Sequence, residues 1–577
     1  MSAHWDDADT LNTSRASRVS QDHEHHDHEH DEPPIPLHPI TKKDSLIRDE
    51  EPAMQVSEGL SAPGRTESAG GVKFALLVLA LCLSVFILSL DNTIISTAIP
   101  KITDQFNSLE DVGWYGSAYL LSNACTQLLY GKIYTFLPTK WVYVVALSLF
   151  EVGSLICGIA PNSKALIIGR AIAGLGSAGV YTGALVIIAN TVPLQKQPLY
   201  SGIIGGVYGI ASVAGPLLGG VFTDKLSWRW CFYINLPIGG VTLAVVVFLF
   251  EMPDHGRTKT GPSGWKERLA LFDPWGTFFF VPALISLLLA LQWGGTTYPW
   301  KSARIIALFV LFGMLFSAFV GVQLWKQDAA TIPPRIIKQR SIWSSALYGF
   351  TLGSAFFIVT FYLPIWFQSI HGVSAVHSGI DNIPMILALV FGSILAGALI
   401  STIGYITPFM IVSSVIASVG IGLLTTFKEN SNHTKWIPFE IVTGLGVGLG
   451  LQQPQLAAQT VLELKDVPVG TALMSFMKTL GAAVFVAIGQ NVFTNRLESG
   501  LKTVPGIDPA TVLNSGATSL QDVPPQLLSS ILVVYNKAII STFYVGLALS
   551  CLSLVGSLMV EWRSIKKKNK GKGNEEA

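Results

Sequence analysis

Residues 74–98 read FALLVLALCLSVFILSLDNTIISTA: seventeen uncharged residues from Phe74 to Leu90, then the aspartate Asp91, then seven more without charge. As a helix rising ~1.5 Å per residue, this run spans a hydrocarbon layer of about 30 Å. Working outward from it, comparable runs recur at 113–134, 141–160, 165–190, 198–221, 232–250, 274–293, 303–325, 343–367, 379–401, 406–427, 436–458, 470–492 and 538–560. Lipid offers the backbone no hydrogen-bond partners, so all fourteen are predicted to be helices. The expected fold class is all-α, integral to a membrane.

Composition agrees. The 577-residue chain is 50% hydrophobic and 13% charged, whereas soluble domains carry about a quarter charged residues. Residues 1–73 hold 7 basic and 15 acidic side chains, and the other 504 hold 31 and 22. So few charges exclude a soluble enzyme, a secreted disulfide scaffold and a nucleic-acid binder. Cys82, Cys125, Cys157, Cys231 and Cys551 lie singly in or beside apolar runs, which predicts free, buried thiols and neither disulfides nor a metal site. Residues 1–73 read as a disordered cytosolic tail. Its block from Asp22 to Glu32 holds five histidines among acids, a composition that binds zinc or nickel only where geometry is fixed.

An even number of spans returns both termini to one side. Loops on that side carry more Lys and Arg, notably Arg257–Arg268, Lys326–Arg340 and the basic tail with Arg563, Lys566, Lys567 and Lys568. The positive-inside rule therefore predicts cytosolic ends, against the contrary signals of Arg229, Lys301 and Arg304. Asn432-His433-Thr434 is a glycosylation sequon too close to its flanking spans to be reached, so Asn432 is expected to stay unmodified.

The chain repeats itself. A shift of 270 residues carries Gly174-Leu175-Gly176 onto Gly444-Leu445-Gly446 and Pro198 onto Pro468, with spans 1–5 falling on spans 9–13. This predicts a six-helix bundle over 74–251, a loop and two linker helices over 252–342, and a second bundle over 343–561 with a long outer loop at 493–537. Parallel repeats about a midplane site are the architecture of rocking carriers.

Several stretches resemble the major facilitator superfamily, in particular its fourteen-span drug:proton antiporters. Leu90 to Pro100 resembles that family's first-span signature, and Gly131-Lys132-Ile133 to Lys140 its cytosolic loop motif. Arg170 with Gly174 and Gly176 is similar to its fourth-span arginine motif. Gly209 and Ala211–Gly220, including Gly215, Pro216, Gly219 and Gly220, resemble its fifth-span antiporter motif. Trp228–Pro237 and Leu289–Gly295 complete a set that looks like fungal toxin and multidrug efflux pumps. The resemblance implies the major facilitator fold and a seal against proton leak in span 5. One departure stands out: Thr135 occupies the place of an aspartate that normally helps latch the two halves on the cytosolic side.

Few charges lie deep in the spans, where each costs about 2.5–3.5 kcal/mol on insertion scales. Asp91 and Arg170 fall at similar depth from one face, so they can pair, either as a static tie or as a proton switch. Glu151, midway along span 3, is either a proton carrier or a protonated packing residue. Lys478, in span 13, either attracts acidic substrates or snorkels toward the headgroups. Glu440 is expected near the outer interface. Asn92, Gln292, Trp293, Tyr362, Asn382, Gln452, Gln453 and Gln455 are candidate cavity-lining residues for a bulky amphipathic ligand. The glycines of span 5 are expected to pack against a span of the other half.

No GxxxxGK[ST] loop occurs, since Gly131-Lys132 is followed by Ile133, so no nucleotide cofactor is expected and an ion gradient must supply the energy. No clustered histidines or nucleophile–base set suggests an enzyme. The expected function is proton-coupled export of hydrophobic toxins, drugs or secondary metabolites by a monomer in the plasma or vacuolar membrane. The alternatives are an importer or exchanger of a metal chelate or other small solute, and a non-transporting receptor. The expected partners are the small-molecule substrate, protons and the lipid bilayer, with no nucleic acid.

Overall fold

The computed structural model describes residues 71–106, 108, 111–250, 272–295, 297–504 and 525–566. The histidine block at 22–32, most of the loops at 252–273 and 502–524, and Lys567 and Lys568 lie outside them. The long helices are α1 (Gly71–Phe106), α2 (Val112–Phe136), α3 (Thr139–Ile159), α4 (Ser163–Thr191), α5 (Gln197–Lys225), α6 (Trp230–Leu249), α7 (Pro274–Trp293), α8 (Ala303–Lys326), α9 (Arg340–Ile370), α10 (Val376–Ile403), α11 (Thr407–Leu424), α12 (His433–Gly450), α13 (Val467–Leu501) and α14 (Pro525–Met559). Each overlaps a predicted run.

Twelve are long and apolar enough to cross a membrane by length and composition. The other two, α2 and α12, fall short of that measure, and α2 uses its polar groups between helices. In α2, Asn123 donates to Ser177 Oγ at 3.0 Å and Gln127 to Thr182 Oγ1 at 2.6 Å, both on α4. Below, the face where α1 begins and α14 ends is the terminal face; the opposite one is the far face.

Three expectations change. α13 runs on to Leu501 and α14 begins at Pro525, so the loop predicted at 493–537 shrinks to the stretch between them. Predicted span 12 is interrupted at Leu451-Gln452, and a second helix, Gln453–Val461, resumes with Pro454 in its first turn. Four cysteines are buried, but Cys551 is exposed on the surface of α14.

Glycines set the helix contacts. Gly176 of α4 lies on the Ala146 and Phe150 backbone of α3, and Gly446 of α12 lies on Ile416 and Ala417 of α11, with no room for a Cβ at either. These contacts are related by the 270-residue shift. So are the Arg170 guanidinium, which donates to the Tyr115 carbonyl at 2.9 Å, and Glu440, which faces the Met385 backbone. Glu440 is therefore fully buried between α10 and α12 and not interfacial as its sequence position suggested.

Two seams join the first six spans to the last six. Along one, Gly202, Gly206 and Gly209 of α5 lie against Ser393, Ile394, Val390 and Leu389 of α10, and Gly397 of α10 packs on Pro198 and Leu199. Along the other, Gly131 of α2 meets the first turn of α13. The linker helices α7 and α8 are tied at the terminal face by Asp273, which is buried and left-handed at φ 48°. It accepts from Gly276 N (3.0 Å), Gln323 Nε2 (2.8 Å), Thr331 N (3.0 Å) and Thr331 Oγ1 (2.9 Å), and pairs with Lys326 at 3.2 Å.

Candidate functional site

Asp91 and Arg170 meet in the far-face half of the first six spans. Arg170 Nη1 donates to Asp91 Oδ2 at 2.5 Å, and neither side chain has exposed surface. A buried pair of this kind persists only when further groups satisfy both partners. Arg170 Nε reaches the Tyr115 carbonyl, and its guanidinium lies 4.4 Å from the centre of the Tyr119 ring. Asn235, in the first turns of α6, donates to Asp91 Oδ1 at 3.1 Å and lies 3.2 Å from Ser154 Oγ of α3. Above the pair, Tyr115 donates to Ser163 Oγ at 2.9 Å and Ser163 donates to Asp111, closing the far end.

Glu151 is one helical turn from Ser154 on α3 and buried against Gly239 of α6, where an added Cβ would collide with its carboxylate. Its oxygens have no hydrogen-bond partner among the described residues. It is thus a neighbour of the Asp91 network and not a member of it.

The α1–α5 contact places the span-5 motif beside this pair. Gly215 lies on Thr93 and Ile94, and Gly219 on Ile94 and Thr97. Ser89 donates to the Tyr208 carbonyl at 2.9 Å and lies 3.1 Å from Ser212 Oγ. The expectation for span 5 therefore divides. Gly209 faces α10 and Gly220 faces Val376 at the start of α10, whereas Gly215 and Gly219 pack within the first six spans. One face of α5 thus touches the helix carrying Asp91, and another lies on the seam.

At mid-membrane, Lys478 of α13 donates to the Tyr181 hydroxyl of α4 at 3.1 Å, and Tyr181 donates to Gln452 Oε1 at 3.2 Å. Of the candidate lining residues, Gln452 and Lys478 come together here and the others do not. Tyr362 is fully buried between α9 and α13, 3.2 Å from Gln490 Oε1. Asn382 bonds the Ser378 carbonyl in its own turn at 2.9 Å. Gln292 and Trp293 end α7 at the far face, against Gly113 and Trp114 of α2. Gln453 and Gln455 are buried beside the break in span 12, and Asn92 is half-buried on α1.

The terminal face has a closure of its own. Gly131 stands so close to α13 that an added Cβ would lie 2.8 Å from Ala472 Cβ, 3.1 Å from Val469 Cα and 3.3 Å from Pro468 O. Thr135 bonds back to the Gly131 carbonyl at 2.8 Å and carries no charge, as its type required. The charges come from elsewhere. Arg335, in the short helix Pro334–Ile337 after α8, grips Asp466 at 2.6 and 2.8 Å and Asp328 at 2.6 Å. Lys132 reaches the Asp328 carbonyl at 3.4 Å. Hydrogen bonds to Asp466 hold the Arg335 guanidinium above its usual range. The chain Lys132–Asp328–Arg335–Asp466 runs from α2 to α13 through the linker segment. Lys140 is half-buried and enters no ion pair among the described residues.

Sequence reasoning missed Asn235, Ser154, Tyr181 and the Arg335 clasp. Tyr181 had a usable signal, since Arg170, Ser177 and Tyr181 are spaced by seven and four and so share one face of α4. Asn235 opens a helix, but nothing in its sequence aims it at Asp91.

Packed long helices, twelve of them apolar and long enough to cross a membrane, with a buried ion pair in one bundle and glycine-lined seams between bundles, define a multi-pass membrane carrier. The chain belongs to the Major Facilitator Superfamily, whose signature matches residues 81–330 and 322–486. It is 57% identical over 504 residues to the MFS-type efflux pump MFS1 of Arthroderma benhamiae, covering 86% of this chain and 93% of that one. It is 54% identical over 493 residues to the efflux pump roqT of Penicillium rubens, covering 85% and 91%. Among solved structures, the proton:xylose symporter XylE aligns with a TM-score of 0.54 at 12% identity, covering 86% of this chain and 97% of that one. The human organic anion transporter MFSD10 aligns at 0.53 and 12%, covering 84% and 99%. The structural likenesses speak to fold alone.

Proposed function

We propose that this chain is a proton-coupled antiporter that exports hydrophobic small molecules by alternating access. It would act as a monomer in the plasma membrane, with both termini, and hence the terminal face, in the cytosol. The observation that carries the coupling is the Asp91–Arg170 pair. Protonating Asp91 neutralises one partner and leaves Arg170 with the Tyr115 carbonyl, a long 3.5 Å bond to the Asp91 main-chain carbonyl and the Tyr119 ring. The pair then weakens, and α1 is free to shift relative to α4. Through Gly215 and Gly219, α1 bears directly on α5, and α5 bears on α10 along the seam. Occupancy of one carboxylate by a proton is thereby transmitted to the contact between the two six-helix halves, which lie at 74–251 and 343–561. The direction of transport follows the efflux pumps to which this chain is similar.

The test uses inside-out vesicles containing the purified protein and a fluorescent hydrophobic drug. Acidifying the lumen should drive drug accumulation, and a protonophore should abolish it. Accumulation that ignores the gradient would sink the coupling; greater drug retention in intact cells expressing the protein would sink the direction.

The Arg335 clasp should contribute modestly. Arg335 is 44% exposed, and exposed ion pairs are screened and worth less than about 1 kcal/mol. Arg335→Gln is therefore expected to change the export rate by roughly two- to fivefold, with the difference shrinking at high salt. A loss as complete as that expected for Asp91→Asn would show that the clasp does more than steady the closed terminal face.

A further inference from the structure

Lys478 raises a question of charge balance. It lies eleven residues into α13, about 16 Å from the terminal end at ~1.5 Å per residue. Its stem passes Gly353 of α9, where an added Cβ would come within 2.8 Å of Lys478 Cγ. The backbone of α9 has thus made way for this side chain. The ammonium reaches across the seam to the Tyr181 hydroxyl and lies 4.9 and 5.9 Å from the ring centres of Tyr181 and Tyr208. It joins none of the ion pairs among the described residues.

The donor count sharpens the point. An ammonium has three N–H donors and no acceptor. One is taken by Tyr181, whose own proton goes to Gln452. The other two have no acceptor among the described residues, and the side chain is only half-buried between the halves. A cation this deep without a counter-anion is costly, and intramembrane charges of this kind mark ligand pathways. Beside it, Tyr181 and Tyr208 stand edge to face at 6.4 Å and offer ring surface to a flat apolar body.

We propose that Lys478, Tyr181, Tyr208 and Gln452 form a site for hydrophobic organic anions: a flat aromatic body bearing one carboxylate or acidic enol. The anion takes the two open N–H donors of Lys478, and the body lies on the two tyrosine rings. Because the lysine comes from the last six spans and the tyrosines from the first six, one ligand touches both. The proposal rests on the export reading above and names its substrate class.

The experiment titrates 2-naphthoic acid and its methyl ester into the purified full-length protein by calorimetry at neutral pH. A charge-assisted hydrogen bond should make the acid bind about tenfold more tightly than the ester. Lys478→Gln should bring the acid to the ester's affinity while leaving the ester unchanged, which also reports an intact fold. Lys478→Arg should keep the preference. A wild-type protein that does not prefer the acid, or a Lys478→Gln variant that still does, overturns the proposal. No gradient is applied, so a failure of coupling or direction appears in the vesicle assay and leaves this titration untouched.

Discussion

Asp91→Asn is expected to abolish export driven by a pH gradient, lowering it about a hundredfold or more, since removing one partner of a buried ion pair costs roughly 3–5 kcal/mol. The amide retains the shape of the carboxylate, and Asn235 can still approach it. What is lost is the charge opposite Arg170, which has no exposed surface on which to find water. The variant carrier should also be less stable to heat, because a buried guanidinium is left with the main-chain carbonyls of Tyr115 and residue 91 and the Tyr119 ring, and with no counter-charge. Adding Arg170→Gln removes that orphaned charge. The double variant is expected to regain thermal stability but not gradient-driven export, which separates the structural role of the pair from its coupling role. Wild-type export by Asp91→Asn under a gradient would remove Asp91 from the mechanism. Glu151→Gln is a control with the opposite expectation. Its oxygens have no hydrogen-bond partner among the described residues, so an amide should be tolerated.

Gly131→Val should stop the cycle at a different place. Even a single Cβ at this position meets Ala472 Cβ at 2.8 Å, and α13 presents its backbone just behind. Overpacking by added methyl groups costs about 1–3 kcal/mol, enough to shift an open–closed equilibrium roughly ten- to hundredfold. The cost falls only on the state in which α2 and α13 touch, so the variant should rest open at the terminal face. Ala472, buried in that contact, provides the reporter. In an Ala472→Cys background, a membrane-impermeant maleimide applied from the terminal face should label the Gly131→Val protein quickly and its parent slowly. Equal labelling, with export intact, would mean that this seam does not open during transport.

The terminal-face closure also shows how a missing charge is replaced. Thr135 cannot supply the latch that the superfamily's loop motif normally builds with aspartate. The clasp uses Asp328 and Asp466 instead, bridged by Arg335 from the segment following the linker helices. The clasp thereby ties the segment after α7 and α8 to Asp466 at the start of α13. Its participants lie in three separate stretches of chain, and no spacing rule connects them.

What the sequence determined by itself was the membrane, the order of the helical runs, and the depth at which Asp91 and Arg170 could meet. Each follows from chain length against bilayer thickness and from the cost of charge in hydrocarbon, which act residue by residue along the chain. Only the tertiary structure decided which side of each helix faces what. In water, an apolar stripe marks the buried side of a helix. In lipid, both sides are apolar, and contact is set by small residues and by hydrogen bonds between helices. That is why Gly215 could not be told from Gly209 by reading span 5, although one packs beside Asp91 and the other on the seam. It is also why Tyr362 proved buried in the helix packing, while Lys478 reached across the seam to Tyr181.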